Sequence, residues 1–593
     1  MFFNYIWQAI GVNAVDAHRK FARILERQRE LYASAWGFLA SITIHQQGDT
    51  LIGQLYHDPG IIGWEPWTVA GDRGLAWDGV CEKHLGTRFD SDITRRVVAT
   101  LAQSPRELRD WDGNFSVISW DDTAQLVNLT TGATQSPTLW YTEGPSGWAA
   151  GSRGAPLLEM TSQRKIPSAV ACNINLAYGY NYSNLSLYDN VRRVPQRSQI
   201  SIRPSAPPVF RTYASIRETL LPDPGLTDRR EILDLCADRL VTRIRRQIDY
   251  STNPEVLITG GRDSRCILAA ARQAGYTGTA STGGSAHCKD VLIGKAVTEK
   301  LGYVHRHTED RVPLDRLVQQ FEQLILWSTM SEGVEILRHV RAFNSFVEGH
   351  AVETERQQLI HGLGGEISRG YYYHNADDLE PFSSGDYRLA YGILLSAANP
   401  GVPISEEAKL VLQNRWDNFS EDLGTDRLTV AQWLDLFFWQ NSCLRWGGDM
   451  LSVKSPRYWI WTPLIDRRLI SAYPGLSPED KRSDRFVEDL TLQLASELEG
   501  TRYDTDCVGG DRKSAGRRLI NRLCKTFYSK LPQPGGENKA LVRLWSQSLL
   551  EVDQPVWKNC LDESGVKNLI REKPASEILW NAATIQLAFA RAA

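Results

Sequence analysis

The stretch Val256-Leu257-Ile258-Thr259-Gly260-Gly261-Arg262-Asp263-Ser264-Arg265 constrains the fold more than any other. A short apolar run of buried-strand length ends in two glycines, and helical spacing sets in from about Ser264. Glycines there let the backbone approach a ligand closely. The first N–H groups of the helix have no partner within it and, with the helix dipole, favour an anion. Thr259 and Ser264 add hydroxyls, and Arg262 and Arg265 add positive charge. Asp263 would be repelled from such a nest unless a cation intervened. Mg²⁺ bridging its carboxylate to phosphate oxygens is the simplest solution. The turn therefore reads as a pyrophosphate cradle with a metal ligand. It lacks the Gly-Lys-Ser/Thr of a Walker A loop. On the turn alone, an ordinary glycine-rich connection stays open as the alternative.

The flanking sequence predicts an α/β domain with a parallel sheet. Ile232, Leu233, Cys236, Leu240, Val241, Ile244 and Ile248 have helical spacing over 229–248. The helix after the turn should stop near Gly275. A strand is expected at Thr279–Thr282, a helix over Asp290–Leu301 stopped by Gly302, and a strand at Val304–His307. Alternating helices and strands place helices on both faces of one sheet. Beyond about residue 310 the pattern is mostly helical. The first 200 or so residues instead alternate in the manner of strands, for example Gly37–Ile44, Phe115–Trp120 and Gln199–Ile202. Pro204, Pro207, Pro208, Pro222 and Pro224 mark a connector between the two regions.

Composition excludes several classes. Of 593 residues, 42% are apolar and 23% charged, which rules out a disordered or fibrous chain. Lys and Arg (67) nearly balance Asp and Glu (70), so no general polyanion-binding surface and no nucleic-acid partner are expected. No apolar run nears the ~20 residues of a membrane span. Met1–Trp7 has no basic segment before its apolar run, so it does not read as a signal peptide. Nine dispersed cysteines, with no CxxC pair or zinc spacing, point to reduced thiols in a cytoplasmic protein.

The turn resembles the SGGxDS pyrophosphate loop of the asparagine synthetase superfamily, with Thr259 replacing the first Ser. Further segments match that family in order. His361-Gly362-Leu363-Gly364-Gly365-Glu366 resembles its second glycine-rich loop, with Glu366 at the place of its second metal-binding carboxylate. Pro463-Leu464-Ile465-Asp466 is similar to its P-F-L-D. Asp112-Gly113-Asn114-Phe115, Gly132 to Tyr141 and Ser152 to Leu158 resemble segments of its glutaminase domain. The resemblance implies an N-terminal Ntn-hydrolase-like α+β sandwich over 1–210 and a Pro-rich linker over 211–228. It further implies a PP-loop ATP pyrophosphatase-type, adenine nucleotide α-hydrolase-like domain over 229–540, then a helical tail over 541–593.

One departure carries information. Glutaminases of this family attack glutamine with an N-terminal Cys exposed by loss of Met1. Here residue 2 is Phe, and the first cysteine is Cys81. With no thiolate and no α-amino base beside it, no acyl-enzyme forms, so the domain is expected to be inactive. The second half, by resemblance, binds ATP and Mg²⁺. Thr259, Gly260, Gly261, Asp263 and Ser264 would hold the phosphates, and groups near Ile258, Thr282 and Gly362 the adenosine. Asp263 and Glu366 would share the metal, with Arg369 and Lys513 as charge stabilisers and Arg445 as another candidate. A carboxylate would be adenylated and an amine would displace AMP. Without an ammonia source the amine belongs to a substrate, as in the lasso-peptide macrolactam cyclases of this family. The implied partners are a precursor peptide, a leader-peptide-binding protein and a leader peptidase. Tyr371, Tyr372, Tyr373, Trp439, Trp446, Trp459 and Trp461 would line a peptide chamber or, equally, pack a core. A β-lactam synthetase-like or other small-molecule ligase, a glutamine-dependent asparagine synthetase and a non-catalytic partner protein are the alternatives.

Overall fold

The N-terminal apolar run is an inner strand, buried on both faces. In the computed structural model, Phe3, Tyr5 and Trp7 of β1 (Phe2–Ala9) pack to one side and Ile6 to the other. The structure describes residues 2–36, 40–57, 61, 64–220, 226–284, 286–308, 329–332, 357–399, 402–424, 428–455, 458–503 and 582.

β1 belongs to an antiparallel sheet with β2 (Ser41–Gln47), β3 (Thr50–Tyr56), β8 (Trp140–Gly144), β9 (Gly147–Gly151) and β10 (Arg192–Arg193), in the order β10-β8-β9-β1-β3-β2. A second antiparallel sheet contains β4 (Trp67–Ala70), β5 (Arg73–Cys81), β6 (Gly113–Asp121), β7 (Leu126–Thr131), β11 (Ser198–Ile202) and β12 (Val209–Thr212), in the order β12-β11-β7-β6-β5-β4. Ile6, Ile52, Ile118, Trp120, Leu129 and Ile200 fill the space between the sheets. The helix Ala14–Trp36 covers the outer face of the first sheet, and Ser91–Gln103 that of the second. The result is a four-layer αββα sandwich. β12 runs two residues into the expected connector, and Ile216–Leu220 is a helix within it. Pro207 and Pro208 only precede the strand, where their missing N–H groups cost no ladder bond.

The second half is built on a parallel sheet of β13 (Glu255–Leu257), β14 (Ala280–Gly283), β15 (His305–Thr308), β16 (Gln357–Ile360) and β17 (Tyr458–Trp461), in the order β15-β14-β13-β16-β17. All its ladders are parallel; Val256, for instance, faces Ala280 on one side and Ile360 on the other. From β13 the chain builds outward one way through β14 and β15, then returns to the other side of β13 for β16 and β17. The order thus reverses between β13 and β16. A reversal of this kind marks a crevice at the C-terminal ends of the two strands, the usual ligand position in open α/β sheets.

The helices Arg229–Asp249 and Lys289–Lys300 match the expected positions, with Gly302 left-handed after the second. The helix after the turn starts earlier than expected, at Arg262, and runs to Gln273. Tyr373, Trp439, Trp459 and Trp461 are buried core residues, so they do not line an open chamber. Tyr371 remains exposed and rests on Phe438, with ring centroids 4.5 Å apart. Among the described residues no helix is long and apolar enough to cross a membrane.

Candidate active site

The two glycine-rich loops meet at the crevice. Gly261 caps the helix Arg262–Gln273 without any side-chain acceptor, so the first turn carries no side-chain cap. Thr259 N–H donates to Ser264 Oγ at 3.0 Å, and the two hydroxyls lie 3.0 Å apart. Asp290, from the helix after β14, accepts from Gly260 N–H at 2.9 Å. Ser264 and Asp290 thereby tie the turn into a cup.

The loop after β16 presses directly on this cup. A Cβ on Gly362 would lie 2.9 Å from Ser264 N, and one on Gly365 would lie 2.2 Å from Asp263 Oδ1. Only glycine permits that approach, and it brings Glu366 to Asp263 across loops a hundred residues apart in sequence. Arg369 Nη2 donates to Asp263 Oδ2 at 2.8 Å and sits 3.9 Å from Glu366 Oε1. The other oxygens, Asp263 Oδ1 and Glu366 Oε2, are buried and make no hydrogen bond among the described residues. Burial pushes the Asp263 carboxyl up to about 7; Arg369 pulls it down, and Glu366 and Asp484 push it further up.

This donor set fits Mg²⁺. The ion takes one or two carboxylates and fills its remaining positions with water and substrate phosphates. Asp263 and Glu366 offer two buried, unpaired oxygens, and no cluster of three or more His, Cys, Asp or Glu able to hold a metal exists among the described residues. Asp263 and Glu366 would hold the ion, leaving the rest of its sphere open.

Several expected contributors stand elsewhere. Arg262 turns into the core, where its Nε lies 3.1 Å from Asp484 and 3.2 Å from Glu488. Arg265 donates to the carbonyls of Thr501 and Arg502 and lies 3.7 Å above the Tyr503 ring. Both guanidiniums are committed to packing, although Arg262 still pulls the Asp263 carboxyl down through space; Arg369 supplies the bonded cation at the rim of the cup. Ile258 N–H donates to Ser281 O, and its carbonyl accepts from the Thr282 hydroxyl at 2.7 Å. Thr282 therefore ties β14 to β13 with its side chain. Arg445 is buried and donates to Ser183 O and Asn184 Oδ1 of the sandwich domain. Lys513 and, apart from Ala582, the tail 541–593 lie outside the described residues.

No family model matches the chain, and no curated protein matches it. Similar solved structures include the allosteric regulatory enzyme of purine biosynthesis, at 8% identity, 52% of this chain, 80% of that chain and a TM-score of 0.25. Another is the glutamine phosphoribosylpyrophosphate amidotransferase from B. subtilis complexed with ADP and GMP, at 7% identity, 61% of this chain, 81% of that chain and a TM-score of 0.25.

Both cysteines of the sandwich domain, Cys81 and Cys172, are buried, and neither lies on its first strand. Phe2 pairs with Tyr56 in the ladder, and the Arg153 guanidinium lies 4.5 Å over the Phe3 ring. Cys81 is fully buried at the end of β5, and burial pushes its thiol well up. The space between Phe3, Asp78, Ser152 and Trp459 has room for about one water. Incubation of the purified chain with glutamine, ATP and Mg²⁺ is expected to release glutamate only at the uncatalysed rate. Enzyme-dependent release, followed by coupled glutamate assay, would contradict this.

Proposed function

We propose that the chain is an ATP-dependent amide ligase that releases AMP and pyrophosphate. Its inferred substrate is a precursor peptide whose Asp or Glu side chain is adenylated and then captured by the peptide's own N-terminal amine, closing a macrolactam. One observation carries the nucleotide part of this reading. Two carboxylates from the loops flanking the sheet's reversal point converge at a helix N-terminus, each with a buried unpaired oxygen.

In this reading the cup around Thr259–Ser264 receives the phosphates, whose charge the helix N-terminus favours. The substrate carboxylate oxygen attacks the α-phosphorus, the bond to the bridging oxygen breaks, and pyrophosphate leaves. The amine then attacks the acyl carbon, loses a proton and expels AMP. Bound Mg²⁺ would neutralise the developing charge on the leaving pyrophosphate. Arg369 stands ready to do the same at the rim. An amine already attached to the activated molecule makes the second step intramolecular, which replaces a separate ammonia supply.

The experiment is ATP–pyrophosphate exchange with Mg²⁺. A peptide with a free N-terminal amine and an internal Asp or Glu is set against small amino-acid carboxylates. Exchange dependent on the peptide supports the cyclase reading. Exchange with a small carboxylate alone would replace it with a small-molecule ligase. No exchange with either class, together with no MgATP binding, would end the nucleotide reading.

A further inference from the structure

A sandwich domain without a nucleophile still grips the segment that buttresses the candidate nucleotide site. The segment is Thr462–Arg467, which follows β17. Ile465 packs against the second glycine-rich loop: a Cβ on Gly364 would lie 2.8 Å from Ile465 Cγ1. Gly364 is left-handed, at φ +99°, and opens the short turn that carries Glu366 and Arg369. Gly365, next in line, is the residue against which Asp263 Oδ1 rests. The position of Ile465 thus sets how far the Glu366 loop can retreat from Asp263.

Four anchors from the sandwich domain hold this segment, two of them through an arginine on the helix Arg229–Asp249. Gln135 Oε1 accepts from the Thr462 hydroxyl at 2.9 Å. Glu82 receives Arg243 through Nε at 3.1 Å and Nη2 at 2.6 Å, while Nη1 of the same guanidinium donates to the carbonyls of Pro463 at 3.0 Å and Ile465 at 2.5 Å. Asp112 lies 2.9 Å from Arg239, which lies 2.7 Å from Asp466. Asp110 lies 3.2 Å from Arg467. Glu82, Arg243 and Asp466 are all buried. A buried, bidentate guanidinium that also caps two carbonyls fixes backbone position, because every alternative placement leaves charge or carbonyl unpaired.

We propose that Glu82, acting through Arg243, is a positioning residue for the nucleotide site: it holds Pro463–Ile465 so that the loop of Gly364–Glu366 stays closed on Asp263. The inference rests on the nucleotide reading above and gives the sandwich domain a task that needs no nucleophile.

The test uses the full chain with Glu82→Gln, and with Trp120→Leu as a control that loosens the space between the two antiparallel sheets far from Thr462–Arg467. MgATP is the probe. Glu82→Gln is expected to weaken MgATP binding by about 10-fold or more by calorimetry, as loss of outer supports of a site typically does. It is also expected to speed amide hydrogen exchange in 362–369 and 459–467 without nucleotide. Trp120→Leu should lower the melting temperature at least as much, with MgATP affinity and exchange in those segments unchanged. Glu82→Asp, which keeps the charge, should recover part of the affinity. Unchanged exchange and affinity in folded Glu82→Gln would overturn the proposal, as would equal losses in the control. If wild-type chain binds no MgATP but the exchange pattern holds, the clamp stands and the nucleotide reading falls. Should Glu82→Gln not fold, Gln135→Leu, which removes only the Thr462 anchor, carries the same readouts with a smaller expected shift.

Discussion

Asp263→Asn should stabilise the metal-free chain at neutral and alkaline pH while removing its nucleotide chemistry. The Asp263 carboxyl is raised to about 7 by burial, against an ordinary value of 3.8. Between those values the folded state binds more protons than the unfolded state, so stability falls as pH rises from about 4 to about 7 and then levels off. Above pH 7 the ionised carboxylate costs on the order of 4 kcal/mol, even after its bond to Arg369. Asparagine carries no charge to desolvate, so the variant loses this slope. Urea unfolding at several pH values, with metal removed by a chelator, reads it directly. Added Mg²⁺ should restore stability to the wild type above pH 7 and do nothing for the variant. Pyrophosphate exchange, in contrast, should fall by about 10³-fold, the scale expected when a group acting on the leaving charge is lost. A variant that is less stable than wild type at pH 8 and still exchanges pyrophosphate would remove Asp263 from the site.

What could be read in advance followed from local chemistry. An apolar run, two glycines and a helical pattern are contiguous signals, so the turn at 259–264, its helix and the neighbouring strands emerged close to their observed bounds. Glu366 was legible only through the resemblance of 361–366 to a family loop; the contacts that carry it, Gly362 and Gly365 abutting Ser264 and Asp263, appear only in the folded chain. The fates of Arg262 and Arg265 were not legible. Their side chains are claimed by Asp484, Glu488 and Tyr503, more than two hundred residues away, and nothing near the turn announces those partners. The aromatic residues of 371–373 and 458–461 carry the same ambiguity. A tryptophan on a buried strand and one in a cavity wall have the same sequence signature, and only packing separates Trp461 from the exposed Tyr371. The grip of Glu82 on Arg243 joins two domains through charges that, taken singly, resemble surface residues.

Gly365→Ala should disable the site by steric means alone. Gly365 does not have a positive φ, so alanine's backbone preferences are satisfied there. Its methyl, however, would lie 2.2 Å from Asp263 Oδ1 and Cγ and 2.8 Å from Cβ. Either the carboxylate rotates out of the crevice or the loop carrying Glu366 moves away; both separate the two acids. Overpacking of this kind costs about 1–3 kcal/mol, and MgATP affinity should drop by about 10-fold or more, as when the support of a ligand shell is displaced. Gly283→Ala provides the comparison. It lies at the same C-terminal edge of the sheet, at the end of β14, and a Cβ there meets nothing within 4 Å. Its affinity and stability should match wild type. The stability changes of Gly365→Ala and Asp263→Ala should be strongly non-additive, since truncating Asp263 removes two of the three atoms that the new methyl strikes and the double variant should regain about 1 kcal/mol. Additive losses would mean that the two loops do not touch, and the shared metal position between Asp263 and Glu366 would go with that contact.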